Sequence, residues 1–336
     1  MVVNPMHHTD LMSLDPSMLS ISELRERILC CGSSVPVGLL GKLQRDQRKG
    51  VRQIYRRLQK QEVQKKQERQ RSISMLQLEQ KLWSSGVARI AGVDEVGIGP
   101  LAGPVVAAAV VFSPGTMLPG VNDSKRVKPE ARERLARRIQ SEALGVGIGV
   151  VQVEDIEQLN VYNAGILAMR RAVERLPLDP EHLLLDARKI PEISIPQSSF
   201  IKGDQLSLSI AAASIIAKTY RDRLMVELDR VDPRYGFAQH KGYCTPAHMR
   251  AIEQYGPSDL HRKSFAFIQE LCGEFSSLFY GLREKLSAAL TAQEIRTFQN
   301  EFGNLRSRLS PSERRKIALL LTRRRAHLQA GLVKLQ

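Results

Sequence analysis

The sequence predicts an α/β protein in which helices flank a mixed β-sheet, with helical appendages at both ends. Three observations predict it. Residues 90–93 and 105–112 are short apolar runs, the second rich in Val and Ala, parted by a charged, glycine-rich break; they read as two neighbouring strands. Further on, short apolar runs alternate with stretches of helical periodicity, the pattern of β/α units added to a sheet. The chain has 336 residues, 43% hydrophobic and 25% charged, enough for one sizeable core with appendages. No apolar run approaches the ~20 residues of a membrane span, and the first ten residues lack a basic-then-apolar signal pattern. Cys30, Cys31, Cys244 and Cys272 are scattered, without a CxxC pair, so free thiols and a cytoplasmic protein are expected.

Taken in order, residues 1–38 read as mostly disordered with one short helix, started by Ser20 or Ser22 with Glu23 and apolar at Leu24, Ile28 and Leu29. Residues 39–87 read as a basic helical extension. After Asp46-Gln-Arg-Lys-Gly-Val51 come Ile54, Leu58 and a Gln/Lys/Arg-rich run without Gly or Pro, which predicts a long, thinly apolar helix. Residues 88–267 form the core. Beyond the first two strands, residues 119–125 are a loop. Helices are predicted over 128–144, with Pro129 tolerated near the start, and over 155–159, 163–176, 207–231 and 245–255. Strands are predicted over 145–153, 182–185 and 199–202. The helix from 207 carries Ala211, Ala212, Ala213, Ser214 and Ala217 on its early turns, small enough to lie close against a sheet. Residues 271–336 read as a basic helical tail with capping boxes at Thr291–Glu294 and Ser310–Glu313.

The net charge of +15 sits in the flanks. Residues 42–81 hold 13 Lys or Arg against 4 Asp or Glu, and residues 271–336 hold 12 against 5, whereas residues 82–270 hold 23 against 22. Basic flanks suit a polyanion; solvated helices made soluble by Lys and Arg are the plainer alternative.

The core repeats one arrangement three times: a strand ends and an acidic residue follows. Asp94 and Glu95 end the first strand, Asp186 follows Leu183-Leu-Leu185, and Asp204 follows Phe200-Ile-Lys-Gly203. Strand ends are where sites collect in open sheets. Carboxylates gathered there repel one another unless hard divalent cations neutralise them. Neighbouring strand residues face opposite ways, so Asp94 and Glu95 can share an ion only if the backbone bends or one carboxylate comes in from the side. Taken singly, each is more often a cap or turn residue. Gly97-Ile-Gly-Pro-Leu-Ala102 fits a dinucleotide fingerprint, but that motif needs a following helix, and here a β-branched run follows. His240, Cys244 and His248 have zinc-like spacing, but Gly242 and Pro246 interrupt any helix aligning them and a fourth ligand is missing.

Gly92-Val-Asp-Glu-Val-Gly-Ile-Gly-Pro-Leu-Ala-Gly-Pro-Val-Val-Ala107 resembles the opening signature of ribonuclease HII, the bacterial type 2 ribonuclease H. Asn122-Asp-Ser-Lys125, Lys202-Gly-Asp204, Ala211-Ala-Ala-Ser-Ile-Ile-Ala-Lys218 and Tyr235-Gly-Phe-Ala-Gln-His-Lys-Gly-Tyr243 resemble further family motifs, so the likeness spans roughly residues 88–267. More loosely, residues 39–87 resemble an N-terminal extension that some members carry, which would be a DNA-gripping arm.

The resemblance implies a ribonuclease H-like fold and a metal-dependent endonuclease. It would cut 5′ of a ribonucleotide, in RNA/DNA hybrids or singly embedded in duplex DNA, leaving 3′-hydroxyl and 5′-phosphate ends. It implies Asp94, Glu95, Asp186 and Asp204 as catalytic, metal-binding carboxylates for Mn²⁺ or Mg²⁺, two ions with substrate bound. It assigns substrate contacts to Gly97, position 98 and Gly99 through the loop, to Lys125 through phosphate, and to Tyr243 through a sugar. The expected partner is nucleic acid, with no membrane; no protein partner is deducible and a monomer is expected. Two positions depart from the family: Ile98 stands where it has Arg, and Asp186-Ala-Arg188 where it has Asp-Gly-Asn. Those departures motivate a rival reading, a weakened or inactive nucleic-acid-binding relative.

Overall fold

The computed structural model describes residues 14–29, 36–122, 124, 127–271 and 275–333, which fall into two units, one ending at Met75 and one beginning at Leu76. The first unit holds α1 (Ile21–Leu29), α2 (Val37–Arg45) and α3 (Lys49–Ser74). Ser20 and Glu23 form the expected start of α1: the Ser20 amide donates to the Glu23 carboxylate at 2.9 Å, and the Glu23 amide to Ser20 Oγ at 3.2 Å. Leu14, Leu24, Ile28, Leu39, Leu43, Val51, Ile54 and Leu58 make its core. Residues 14–19 thus begin a packed unit; residues 1–13 lie outside the described residues. Arg48, in the turn before α3, pairs with Asp46 at 2.6 Å and donates to the carbonyls of Leu19 (2.7 Å) and Pro16 (2.6 Å), so this Asp-x-Arg stretch closes the unit.

The second unit opens with α4 (Gln77–Ser84), followed by β1 (Ile90–Val96), β2 (Val105–Val111), α5 (Pro129–Glu142) and β3 (Gly145–Val151). Next come α6 (Val153–Glu174), β4 (His182–Asp186), β5 (Gln197–Phe200), α7 (Leu208–Val231), the single turn α8 (Phe237–His240), α9 (Pro246–Tyr255) and α10 (Ala266–Leu271). The sheet order is β3-β2-β1-β4-β5, antiparallel from β3 to β1 and parallel from β1 to β5. This is the expected mixed sheet flanked by helices.

One face packs on α6 through Ala91, Val93, Ala107 and Ala109 against Ala164, Ala168 and Ala172. There a Cβ on Gly147 or Gly149 would fall 2.0 or 1.9 Å from the Ala172 and Ala168 carbonyl oxygens, so these glycines let helix backbone lie on the strand. Gly92 does the same for α7 on the other face. The two helices expected over 155–159 and 163–176 are the halves of α6, broken at Asn160 (φ 65°, ψ 160°), whose Oδ1 caps the second half by accepting from the amides of Tyr162 and Asn163.

The division between the two compact units falls at Met75, inside the expected extension over 39–87. The physical reason is Glu79 of α4. Fully buried, it accepts from Ser207 Oγ (2.5 Å), the Ser209 amide (2.9 Å) and Ser209 Oγ (2.8 Å) at the start of α7. A carboxylate there satisfies helix-end donors and faces the positive end of the helix dipole.

The tail forms α11 (Ser277–Ala288), α12 (Ala292–Leu305) and α13 (Pro311–Val333) around its own apolar cluster, including Phe279, Leu282, Leu286, Ile295, Phe298 and Ile317. Both expected capping boxes are present, and Glu313 also accepts from the Ser276 amide at 2.6 Å.

Candidate active site

Parallel pairing sets Val93 beside Leu185, so the next residues, Asp94 and Asp186, lie side by side where the β1–β4 pairing ends. The Gly203 amide donates to Asp186 Oδ1 at 2.8 Å, which draws the turn carrying Asp204 to the same edge, just ahead of α7. Asp94 and Asp204 are buried. Burial raises the Asp94 carboxyl well above the usual carboxylate range, and the charges of Glu95, Asp186 and Asp204 raise it further against a hydrogen bond from Ser214.

Strand β1 keeps its register through Asp94 and Glu95, opposite Ala108 and Ala107. The backbone does not bend there. Asp94 faces α7 and Glu95 faces α6, so Glu95 reaches the cluster from the other side of the strand. Its Oε1 lies 3.6 Å from Arg188 Nη1, and the Arg188 guanidinium lies 4.6 Å from the centre of the Tyr162 ring. In the turn after β4, Ala187 is left-handed, with a φ of 55°, a strain of ~1–2 kcal/mol.

Four oxygen-donor carboxylates with mutual repulsion are what a hard divalent cation would relieve. Among the described residues, no three acidic, imidazole or thiol groups are already grouped to hold an ion. The donor chemistry fits; the cluster is gathered but not drawn tight.

After β1 the chain turns at Gly97 (φ 97°), where a Cβ would meet Arg221 Nε at 2.5 Å. Strand β2 follows, not the helix of a dinucleotide site. Ile98 lays its side chain on the apolar cluster under α6, while Gly99 is exposed. The Leu101 amide donates to the Gly242 carbonyl at 2.8 Å, tying this loop to the one carrying Tyr243. Tyr243 is exposed, with Lys218 Nζ 5.6 Å from its ring centre. Ser124 shares a 2.9 Å hydrogen bond with Ser214, the residue bonded to Asp94, so that loop also reaches the cluster. Lys125 lies outside the described residues.

The two histidines of the zinc-like trio belong instead to a packed ring cluster with His261. His240 and His248 stack at 4.3 Å and His248 Nε2 meets His261 Nε2 at 3.0 Å. The Ser258 amide donates to His261 Nδ1 (3.0 Å), so His261 donates through Nε2 to His248, whose Nδ1 donates to the Tyr243 carbonyl (2.9 Å). Cys244 is exposed.

Sequence reasoning missed four residues here: Glu79, Arg188 as a partner of Glu95, and the buried arginines Arg221 and Arg262. The sequence holds no signal for Arg262, which follows His261 and precedes Lys263 in a polar stretch with Asp259 three residues before it.

The ribonuclease HII family model matches residues 91–268, and the ribonuclease HII N-terminal domain model matches residues 20–83. A ribonuclease HII of Myxococcus xanthus is 49% identical over 255 residues, covering 76% of this chain and 87% of the relative. One of Geobacillus thermodenitrificans is 50% identical over 231 residues, covering 69% and 89%. The crystal structure of ribonuclease H2 from Pyrococcus horikoshii is 23% identical, with a TM-score of 0.48, covering 55% of this chain and 98% of that one.

Proposed function

Because this chain belongs to the ribonuclease HII family and is a ribonuclease H, we propose that it cuts on the 5′ side of ribonucleotides. The substrates are the RNA strand of RNA/DNA hybrids and single ribonucleotides embedded in duplex DNA. The products carry 3′-hydroxyl and 5′-phosphate ends. The observation that carries this reading is the convergence of Asp94, Asp186 and Asp204 at neighbouring strand ends, with Glu95 entering from the far face.

Asp94, Glu95, Asp186 and Asp204 would hold Mn²⁺ or Mg²⁺, which activates water and stabilises the leaving oxygen in phosphodiester hydrolysis. The main chain at Gly97 and Gly99 meets the 2′-hydroxyl, the group that tells RNA from DNA at one nucleotide. Tyr243 lies under the sugar of the following nucleotide, and Lys125 meets a phosphate. Ile98 contributes main chain only, its side chain being spent on the core. The basic stretches 42–81 and 271–336 grip flanking phosphates.

The Arg188–Glu95 pair favours a second reading, a nucleic-acid binder with weakened catalysis, because a guanidinium there competes with cations for Glu95. A labelled duplex with one ribonucleotide, incubated with Mn²⁺ or Mg²⁺ beside an all-DNA control, separates the two. Cutting of the first duplex alone supports the proposal. Binding without cutting supports the second reading, and cutting of both points to a nuclease of different specificity.

A further inference from the structure

Arg221 and Arg262 are fully buried, and among the described residues neither has a carboxylate at ion-pair distance. Burying a guanidinium without a counter-ion costs several kcal/mol, so its donors must be placed with purpose. Every side-chain bond they make goes to a main-chain carbonyl. Arg262 donates to Gly97 (2.6 Å), Ile98 (3.1 Å), Pro100 (2.9 Å) and Gly103 (2.8 and 3.1 Å). Arg221 donates to Ala102 (3.0 Å), Pro104 (2.9 Å) and Lys241 (3.0 Å). The Leu101 carbonyl accepts from the Arg262 amide at 2.8 Å. From Gly97 to Pro104, only the Gly99 carbonyl is left out.

A trans peptide points its N–H opposite to its C=O, and no peptide here is cis. With the carbonyls of Gly97 and Ile98 turned inward, the amides of Ile98 and Gly99 point away from the arginines. The Leu101 and Gly103 amides are taken by the carbonyls of Gly242 and Leu260. Among the described residues, Ile98 and Gly99 donate in no backbone bond. A cation on the carbonyl side also polarises each peptide and strengthens its N–H as a donor. We infer that Arg262, assisted by Arg221, is a positioning residue that aims the Ile98 and Gly99 amides at the ribonucleotide and thereby sets discrimination between ribose and deoxyribose.

The inference rests on the proposed reading of this loop. Burial lowers Arg262 to about 9, so it stays charged at neutral pH. Lysine has three donors on a point charge and cannot span four carbonyls as a planar fork does. Arg262→Lys should therefore let the loop relax by ~1 Å, a misplacement that costs ~100-fold in rate. Binding of an all-DNA duplex should stay unchanged.

The experiment begins with wild-type protein. If it does not prefer the ribonucleotide duplex over DNA, the functional reading fails and the inference with it. If it does, single-turnover cleavage and duplex affinity are measured for Arg262→Lys and Arg221→Lys. The expected result for Arg262→Lys is a ~100-fold lower rate on the ribonucleotide duplex, a smaller ratio to DNA, and unchanged DNA affinity. A folded Arg262→Lys with wild-type rate and ratio overturns the inference. A second measurement needs no variant: amide hydrogen exchange in wild-type protein without divalent cations. Ile98 and Gly99 should be protected by the ribonucleotide duplex and not by its all-DNA counterpart. Equal protection, or none, overturns the inference even if both variants fail to fold.

Discussion

Gly92→Ala tests how closely the site depends on the contact between β1 and α7. A Cβ there would lie 2.1 Å from the Ser209 carbonyl carbon and 2.3 Å from the Ile210 nitrogen, both backbone atoms. Ordinary contact begins near 3.4 Å, so strand and helix must part by about 1.3 Å. The helix start cannot yield easily, because Ser207 caps it and Glu79 holds Ser207 and Ser209. One extra methylene in a tight core costs ~1–3 kcal/mol; with only backbone to displace, ~3 kcal/mol or more is expected. Asp204 precedes this helix start and Ser214 lies one turn further on. A displacement of ~1 Å there should also lower single-turnover cleavage ~100-fold. Urea unfolding and cleavage of a ribonucleotide duplex measure the two effects. Gly281→Ala in α11, where nothing lies within 4 Å of the added carbon, is the control and should stabilise by up to ~1 kcal/mol. A Gly92→Ala protein within 1 kcal/mol of wild type, or one that loses stability but keeps its rate, would refute the reasoning.

Four further outcomes are expected. Asp94→Asn should abolish most cleavage while raising the melting temperature of metal-free protein by a few degrees. The folded state raises this carboxyl, so its charge costs stability once pH exceeds the unfolded value; unchanged melting or retained cleavage counts against the cluster. His248 and His261 are lowered by burial to about 4. Neutral burial stabilises above pH 6.5, and that stability is lost as pH falls toward 4. Moving from pH 7 to 5 should cost roughly 2–4 kcal/mol at ~1.4 kcal/mol per unit, read by urea titration in an Asp94→Asn background that removes the opposing group. Deleting residues 1–75 should lower the slope of log K against log salt by ~0.9 per lost phosphate contact and change the single-turnover rate much less; deletion through residue 81, which removes Glu79, should also destabilise the core. Ile98→Arg, if its guanidinium reaches a phosphate, should add a charge-assisted bond of ~1.5–3 kcal/mol and raise kcat/KM ten- to hundredfold with ribonucleotide dependence retained; no gain means the loop is rebuilt around Ile98.

The sheet was legible because Val- and Ala-rich runs buried on both faces leave a periodicity-free apolar signal, and Asn160 and the serine caps are local chemistry. Strand order was not legible from pattern. That β1 lies between β2 and β4 follows from pairing between residues far apart in sequence. The carboxylates could be chosen by their place after strand ends and by resemblance, but the approach of Glu95 from the α6 face depends on a register that runs unbroken past it. Glu79, Arg221 and Arg262 were unreadable for a common reason. Each is a charged side chain held by main-chain groups or serines brought close only by the fold, and sequence alone gives such a residue the appearance of surface.

The separate apolar cluster of the tail has a consequence for cooperativity. Its phenylalanines and leucines are buried chiefly among themselves, with Ala266 of α10 packed against them, and the leucines of the first unit bury one another, so most of each group's burial is staked on its own cluster. All-or-none unfolding requires a shared stake. Burial divided among separate clusters favours opening in blocks, each with its own free energy, and the N-terminal helices and the tail are expected to open below the global transition. A melting temperature for this protein belongs to the block whose signal is followed.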